Sequence, residues 1–286
     1  MSEFLLRVPD HLGDGVMAIP AVQAIATLGH AHVVGPSWAG RMYDLDTRPA
    51  SPDTAVLFKP SFSAAWTHRH IKRRVGTPGD WRRWLLTDVV HPSATHRIET
   101  YAAIAAAVGA EAKAPPTFIP SKDEHDRAPI LAPDDILLLP LSKTQATVGW
   151  PHFRSLADQL NGRAVFAAGP HECKALKAIA GPHRCLPALP IGEFAATAIQ
   201  AATVVGNDSG LAHLASAARR GAGLDPGTTH VIFGSTLPEK TGPIGSTNHH
   251  QLTLKCQPCY QKKCQLKHAA TPCLDIPEEA ILEALV

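Results

Sequence analysis

The stretch Thr203-Val204-Val205-Gly206-Asn207-Asp208-Ser209-Gly210-Leu211-Ala212-His213 decides the fold of this chain. Thr203-Val204-Val205 is β-branched and apolar and reads as a buried strand. Leu211 to Ala218 reads as a helix, so the small residues between form a strand-to-helix turn. That unit builds parallel α/β sheets. Working outward, Ile191 to Ala201 reads as a helix before it and His230-Val231-Ile232-Phe233 as a strand after it. Further upstream, strands at Ile136–Leu139 and Ala164–Ala167 alternate with helices at Phe153–Leu160 and Glu172–Ile179. Strict alternation predicts a doubly wound sheet.

The N-terminal part opens the same way. Phe4-Leu5-Leu6-Arg7-Val8 reads as a buried strand, and Pro9 to Gly13 as a turn. Val16, Ile19, Pro20, Val22 and Ile25 then follow a mostly helical spacing, ended by Gly29. His32-Val33-Val34 is the next strand. Residues 36–95 are rich in Pro, Trp, His and Arg and read as loops with short elements. Residues 98–108 form an alanine-rich helix. Pro115 to Pro133 carries five prolines and many charges and reads as the linker. The fold class is therefore α/β, with two Rossmann-like doubly wound domains, 1–128 and 129–286, facing a central cleft. In such sheets ligands bind beyond the carboxyl ends of the strands.

A length of 286 residues suits two domains, and 45% hydrophobic with 18% charged residues suits a globular core. No apolar run approaches the roughly 20 residues that span a bilayer. Met1 to Pro9 is too short for a signal peptide, so a cytoplasmic place is expected. The net charge of +2 gives no general attraction to nucleic acid. Charge is local instead: Arg69, Lys72, Arg73, Arg74, Arg82 and Arg83 stand against one acid, Asp80. Such a patch suits an anionic partner.

Three segments carry chemistry. Asp208-Ser209-Gly210 opens a helix after a strand, where free amides and the helix dipole favour a phosphate. Asp208 would then accept hydrogen bonds from sugar or ribose hydroxyls; the plainer reading is a helix cap. Phe233-Gly234-Ser235-Thr236, continuing to Thr241-Gly242-Pro243, is a small-residue loop suited to a nucleotide or to a plain surface turn. Leu12-Gly13-Asp14-Gly15 puts a carboxylate at a strand-to-helix turn. There it would take a proton from an attacking hydroxyl, or merely cap the helix.

Together these segments resemble the ADP-heptose:lipopolysaccharide heptosyltransferases, glycosyltransferase family 9. The resemblance rests on Leu12-Gly13-Asp14 with Val16 to Ala21, on Asn207 to His213, and on Phe233 to Thr236 with Thr241-Gly242-Pro243. Arg73-Arg74-Val75-Gly76 with Trp81-Arg82 and Leu85 to Asp88 resembles the heptosyltransferase II branch. So does Cys256-Gln257-Pro258-Cys259 with Cys264, Cys273-Leu274 and Ile276 to Glu279. The resemblance implies a GT-B fold and an inverting transfer from ADP-heptose to lipopolysaccharide inner core, with no cofactor or metal required. It implies Asp14 as base and a donor site at Asp208, Ser209, Gly210, Leu211, His213, Gly234, Thr236 and Thr241, with Ser142 and Lys143. The acceptor would meet Arg69, Lys72, Arg73, Arg74 and Arg82, with peripheral contact at the inner membrane. The alternatives are another nucleotide-sugar, a protein acceptor, or a binding protein without catalysis.

Two departures stand out. Val148-Gly149 precede Trp150-Pro151 where the family has a basic residue, and Arg219 to Gly227 lengthens a connection. The chain is also short for the family, with a trimmed N-terminal domain. Finally, Cys256, Cys259, Cys264 and Cys273 are candidate ligands of a structural zinc or iron. The first pair has the spacing of a metal knuckle, with His268 as a substitute ligand, and the second pair is irregular. Reduced or partly oxidised structural thiols are the other reading.

Overall fold

The computed structural model describes residues 2–47, 51–93, 95–142, 149–249, 254–261, 263–266 and 271–285. The chain divides into two compact units, Met1–Thr117 and Phe118–Val286.

Unit 1 runs β1 (Ser2–Arg7), α1 (Leu12–Ala26), β2 (Gly29–Val34), α2 (Ala39–Tyr43), β3 (Thr54–Leu57), α3 (Phe62–Thr67), β4 (Arg73–Gly76), β5 (Asp88–Val89) and α4 (Arg97–Ala106). Its sheet has the order β2-β1-β3-β4-β5 with every pairing parallel. Phe4, Leu5 and Leu6 of β1 are buried, as central parallel strands require. Gly29 does not end α1. It begins β2, where a side chain would run into the Ser2 carbonyl. The short elements expected in residues 36–95 include three strands of the sheet. β3 is buried at all four positions, so it shows no alternating pattern to read.

Unit 2 continues with α5 (Lys122–Arg127), β6 (Ile136–Leu139), α6 (Phe153–Gln159), β7 (Ala164–Phe166), α7 (Cys173–Ala180), β8 (Arg184–Cys185), α8 (Ile191–Gln200), β9 (Thr203–Asn207), α9 (Gly210–Gly221), β10 (Thr229–Ile232), α10 (Pro238–Thr241), β11 (Thr247–His249) and α11 (Glu278–Ala284). The sheet order is β11-β10-β9-β6-β7-β8, again with parallel pairings. Trp150, Phe153, Leu156 and Phe166 fill a core with Ile281 of α11. The Trp150 indole N–H reaches the Ile276 carbonyl at 2.8 Å and ties the C-terminal segment to that core.

The two units part at Thr117–Phe118, upstream of the boundary expected after residue 128. The proline-rich stretch is not a free linker. Ser121 and Glu124 form a capping box that starts α5, and α5 packs on α8. A side chain on Gly192 of α8 would occupy the place of the Glu124 carboxylate, and Arg127 pairs with Glu193 at 3.0 Å. The Phe118 amide also donates to the Ala217 carbonyl of α9. Arg219 to Gly227 carry α9 on to Gly221 and form a tight turn at Pro226–Thr228. Arg219 is buried and donates to the carbonyls of Ala198, Ala201 and Ala202, satisfying the end of α8.

His230 and His249 stack between β10 and β11, with ring nitrogens 2.9 Å apart. Burial, reinforced by His249, pulls His230 down to about 4, and burial also lowers His249. Both are neutral in the fold, while the unfolded chain binds protons below about pH 6.5. Stability is therefore full above about pH 6.5 and falls as pH drops through the folded value. Urea midpoints measured across that range are expected to decline toward pH 4, and His230→Asn is expected to flatten the decline. An unchanged slope in the variant would assign the pH dependence to other groups.

Candidate functional site

In unit 1 the sheet reverses its order beside β1. The chain leaves β1 for β2 on one side and returns as β3 on the other. Such switch points open a crevice at the strand carboxyl ends. Asp14 stands there, in the first turn of α1. The helix starts at Leu12 with His11 at its N-cap position, so Asp14 lies inside the helix and does not cap it. Its Oδ1 accepts a 3.0 Å hydrogen bond from the Tyr101 hydroxyl of α4, and Arg97 Nε lies 3.8 Å away. The carboxylate stays 28% exposed, so a substrate can reach it.

The surroundings fix this geometry. Tyr101 is buried, and burial, then the Asp14 charge, raise its hydroxyl well above the usual tyrosine value. It therefore remains a neutral donor. Tyr43 of α2 donates to the Gly15 carbonyl at 3.0 Å, and the Trp38 indole occupies the space a side chain on Gly15 would need. The turn between β1 and α1 is thus clamped from two sides.

Unit 2 has its own switch point, between β6 and β9. Ser142 follows β6, and Asp208 and Ser209 follow β9. Ser209 caps α9, its Oγ accepting the Ala212 amide at 3.4 Å. Asp208 is not the cap. It accepts the Thr236 hydroxyl at 2.7 Å and lies 3.8 Å from His213 Nε2. The Asp208 amide donates to Ile232 at the end of β10, which joins the two loops. α9 is twelve residues long, and its first amides, at Gly210 and Leu211, have no carbonyl within the helix to bond. The Thr241 hydroxyl donates to the carbonyl of Leu237, the N-cap of its own helix, at 3.4 Å. Lys143 and Val148 lie outside the described residues.

Asn207 was quoted in the motif without a role. It is fully buried, donates to the Pro140 carbonyl and accepts the Trp150 amide at 3.0 Å. It therefore anchors both ends of the segment between β6 and α6 beside the Asp208 loop.

The basic set separates in the structure, and three of its members need correcting. Arg82 is fully buried and donates to the carbonyls of Thr77, Lys59 and Leu57. Burial lowers it to about 10, against the pull of Asp80. Arg73 pairs with Asp88 at 2.9 Å and donates to Ala107 O. Arg74 donates to the carbonyls of Leu85 and Ile71. These three guanidiniums bind unit 1 to itself instead of forming an unpaired surface. Arg69 lies instead over the Trp66 ring, 4.2 Å from its centre.

All six cysteines are free thiols. Among the described residues, no group of three or more His, Cys, Asp or Glu side chains is placed to hold a metal ion. His268 lies outside them. Burial raises the Cys273 thiol to about 11, and the neighbouring Cys259, Cys264 and Cys256 add to the rise. The segment touches the Asp208–Thr236 loops: Gln257 donates to Gly234 O at 2.7 Å and Tyr260 N to Ser235 O at 3.2 Å.

The fold is shared with solved structures. E. coli ADP-heptose lipopolysaccharide heptosyltransferase II superposes with a TM-score of 0.78 at 19% identity, over 99% of this chain and 97% of that one. A Veillonella parvula family 9 glycosyl transferase gives 0.70 at 15%, over 99% and 95%. E. coli heptosyltransferase WaaC with ADP gives 0.64 at 16%, over 86% and 92%. These are GT-B proteins, and two parallel-sheet units are that fold. No curated protein sequence matches the chain. The profile of glycosyltransferase family 9 (heptosyltransferase) matches residues 48–270, a stretch that holds Asp208 and Thr236 and begins after Asp14. Most of the sequence thus fits one family and the fold agrees along its length: the chain is a glycosyltransferase that belongs to family 9, the heptosyltransferases.

Proposed function

We propose that the protein transfers heptose, with inversion, from ADP-heptose to a hydroxyl of the lipopolysaccharide inner core. The observation that carries the reading is the Asp14 carboxylate, held by Tyr101 at the switch point of unit 1 and still open to a substrate. An acceptor hydroxyl loses its proton as its oxygen attacks the anomeric carbon, and Asp14 takes that proton. The bond to the diphosphate breaks, and the nucleoside diphosphate leaves with the electron pair. Its charge is met by the amides and dipole at the start of α9. Asp208 accepts from a hydroxyl of the donor. Arg69 and Lys72 meet phosphates of the acceptor. The family's solved members include enzymes described with ADP and with ADP-2-deoxy-2-fluoro heptose, which supports the donor.

This reading places the enzyme in the cytoplasm at the inner face of the membrane, where its acceptor is anchored. No helix among the described residues is long and apolar enough to cross a bilayer. Incubation with ADP-heptose and heptose-deficient lipopolysaccharide tests the whole reading. Transfer supports it. Transfer from a different nucleotide-sugar moves the donor, and binding without turnover of any donor leaves a non-catalytic binding protein.

Asp208→Ala is expected to weaken ADP-sugar binding about tenfold or more, as expected for loss of a charge-assisted hydrogen bond. Acceptor affinity should hardly change. Calorimetric titration decides it, and equal affinity for wild type and variant would place the donor elsewhere.

A further inference from the structure

Where β3 and β4 end, α3 meets the loop that follows β4. The Asp80 carboxylate accepts the Phe62 amide at 2.8 Å and pins the loop to the start of α3. Four large aromatic side chains emerge at this junction. Phe62 is 37% exposed, Trp66 45%, Trp84 68% and Trp81 90%. Phe62, Trp66 and Trp84 pack on one another with ring centres 5.9 to 6.4 Å apart. An open groove of about 800 Å³ runs beside them, lined by Asp80, Trp81, Arg83, Trp84, Leu86 and Val89.

A lone exposed aromatic needs no explanation, but a contiguous cluster marks a surface that meets something. The backbone points the same way. Asp80 and Trp81 both adopt left-handed conformations, with φ of 57° and 58°. Two successive non-glycine residues rarely accept that strain, and here it holds an indole outward into solvent. Charge sets the character of the partner. Arg69 sits over Trp66 and Arg83 lines the groove together with one acid, Asp80, whose carboxylate accepts the Phe62 amide; the two guanidiniums outnumber it.

We propose that this aromatic and cationic surface docks unit 1 onto the headgroup layer of an anionic phospholipid bilayer. Indole rings prefer that layer, where the apolar body is shielded and the N–H stays wet. The Arg83 guanidinium beside them meets lipid phosphates. The ring arrangement favours a bilayer over a saccharide. Phe62 and Trp66 lie 17° from parallel and offset, with ring centres 5.9 Å apart, and a guanidinium covers one face of Trp66, so rings and cation form one mixed surface. The proposal extends the reading of a membrane-anchored acceptor, but its test uses neither donor nor acceptor, so each can fail alone.

Sedimentation with sugar-free vesicles tests it. The wild-type protein is expected to bind vesicles of phosphatidylcholine mixed with phosphatidylglycerol about tenfold more tightly than phosphatidylcholine alone. Trp81→Ser combined with Trp84→Ser should reduce that binding about tenfold while the melting temperature and ADP affinity stay unchanged. Arg83→Gln should reduce the preference for the anionic lipid. Failure of the wild type to sediment with either vesicle would overturn the proposal, as would undiminished binding by the double variant. Binding of delipidated core oligosaccharide that the double variant loses, with no vesicle binding, would overturn it in favour of a saccharide platform.

Discussion

Asp14→Asn is expected to fold as the wild type does and to lose transfer activity by roughly 100- to 10,000-fold, the range that a positioned proton acceptor contributes. The amide still accepts from the Tyr101 hydroxyl, so the turn keeps its partner and the loss falls on kcat. Tyr101→Phe removes the 3.0 Å hydrogen bond without touching the carboxylate. Its loss of kcat should be smaller, because the carboxylate remains and only its orientation is released. Donor affinity measured by calorimetry should be unchanged in both variants. Near wild-type turnover in Asp14→Asn would show that another group takes the proton.

The second large effect concerns stability. Arg82→Met is expected to destabilise unit 1 by about 3 kcal/mol, because buried carbonyl groups lose their donor. The carbonyls of Leu57, Lys59 and Thr77 close around the guanidinium, and Gly76 leaves it room. Urea denaturation of the variant should show an earlier transition. In the protein that remains folded, the acceptor KM should be that of the wild type. A raised KM with normal stability would return Arg82 to the acceptor site.

These two residues also show what the sequence reveals and what it hides. Asp208, Ser209 and Asp14 were legible because a strand followed by a small-residue turn and a helix has a recognisable pattern. That pattern also placed the strands of unit 2 at Ile136–Leu139 and Ala164–Phe166 within a residue or so. β3, β4 and β5 were not legible. They are two to four residues long: β3 is wholly buried and has no period, and β4 and β5 are too short to show one. Arg73 and Arg82 read as surface charge because the carbonyls and the carboxylate that hold them cannot be counted from the sequence. Tyr101 stands 87 positions from Asp14, and nothing local joins them. α5 had a readable start in Ser121 and Glu124, which the prolines around it obscured.

The place of α5 bears on how such enzymes can be recombined. The segment that seems to connect the halves is a structural part of the second one, held by the Phe118 amide, the Glu124 carboxylate beside Gly192, and the Arg127–Glu193 pair. A chimera spliced after Thr117 inherits this strap together with the helix it covers. A splice after Ala128 would take α5 from one parent and α8 from the other, so a donor half whose counterpart of Gly192 bears a side chain could not seat Glu124. Exchange of sugar specificity between relatives should therefore succeed at the earlier junction and give insoluble protein at the later one.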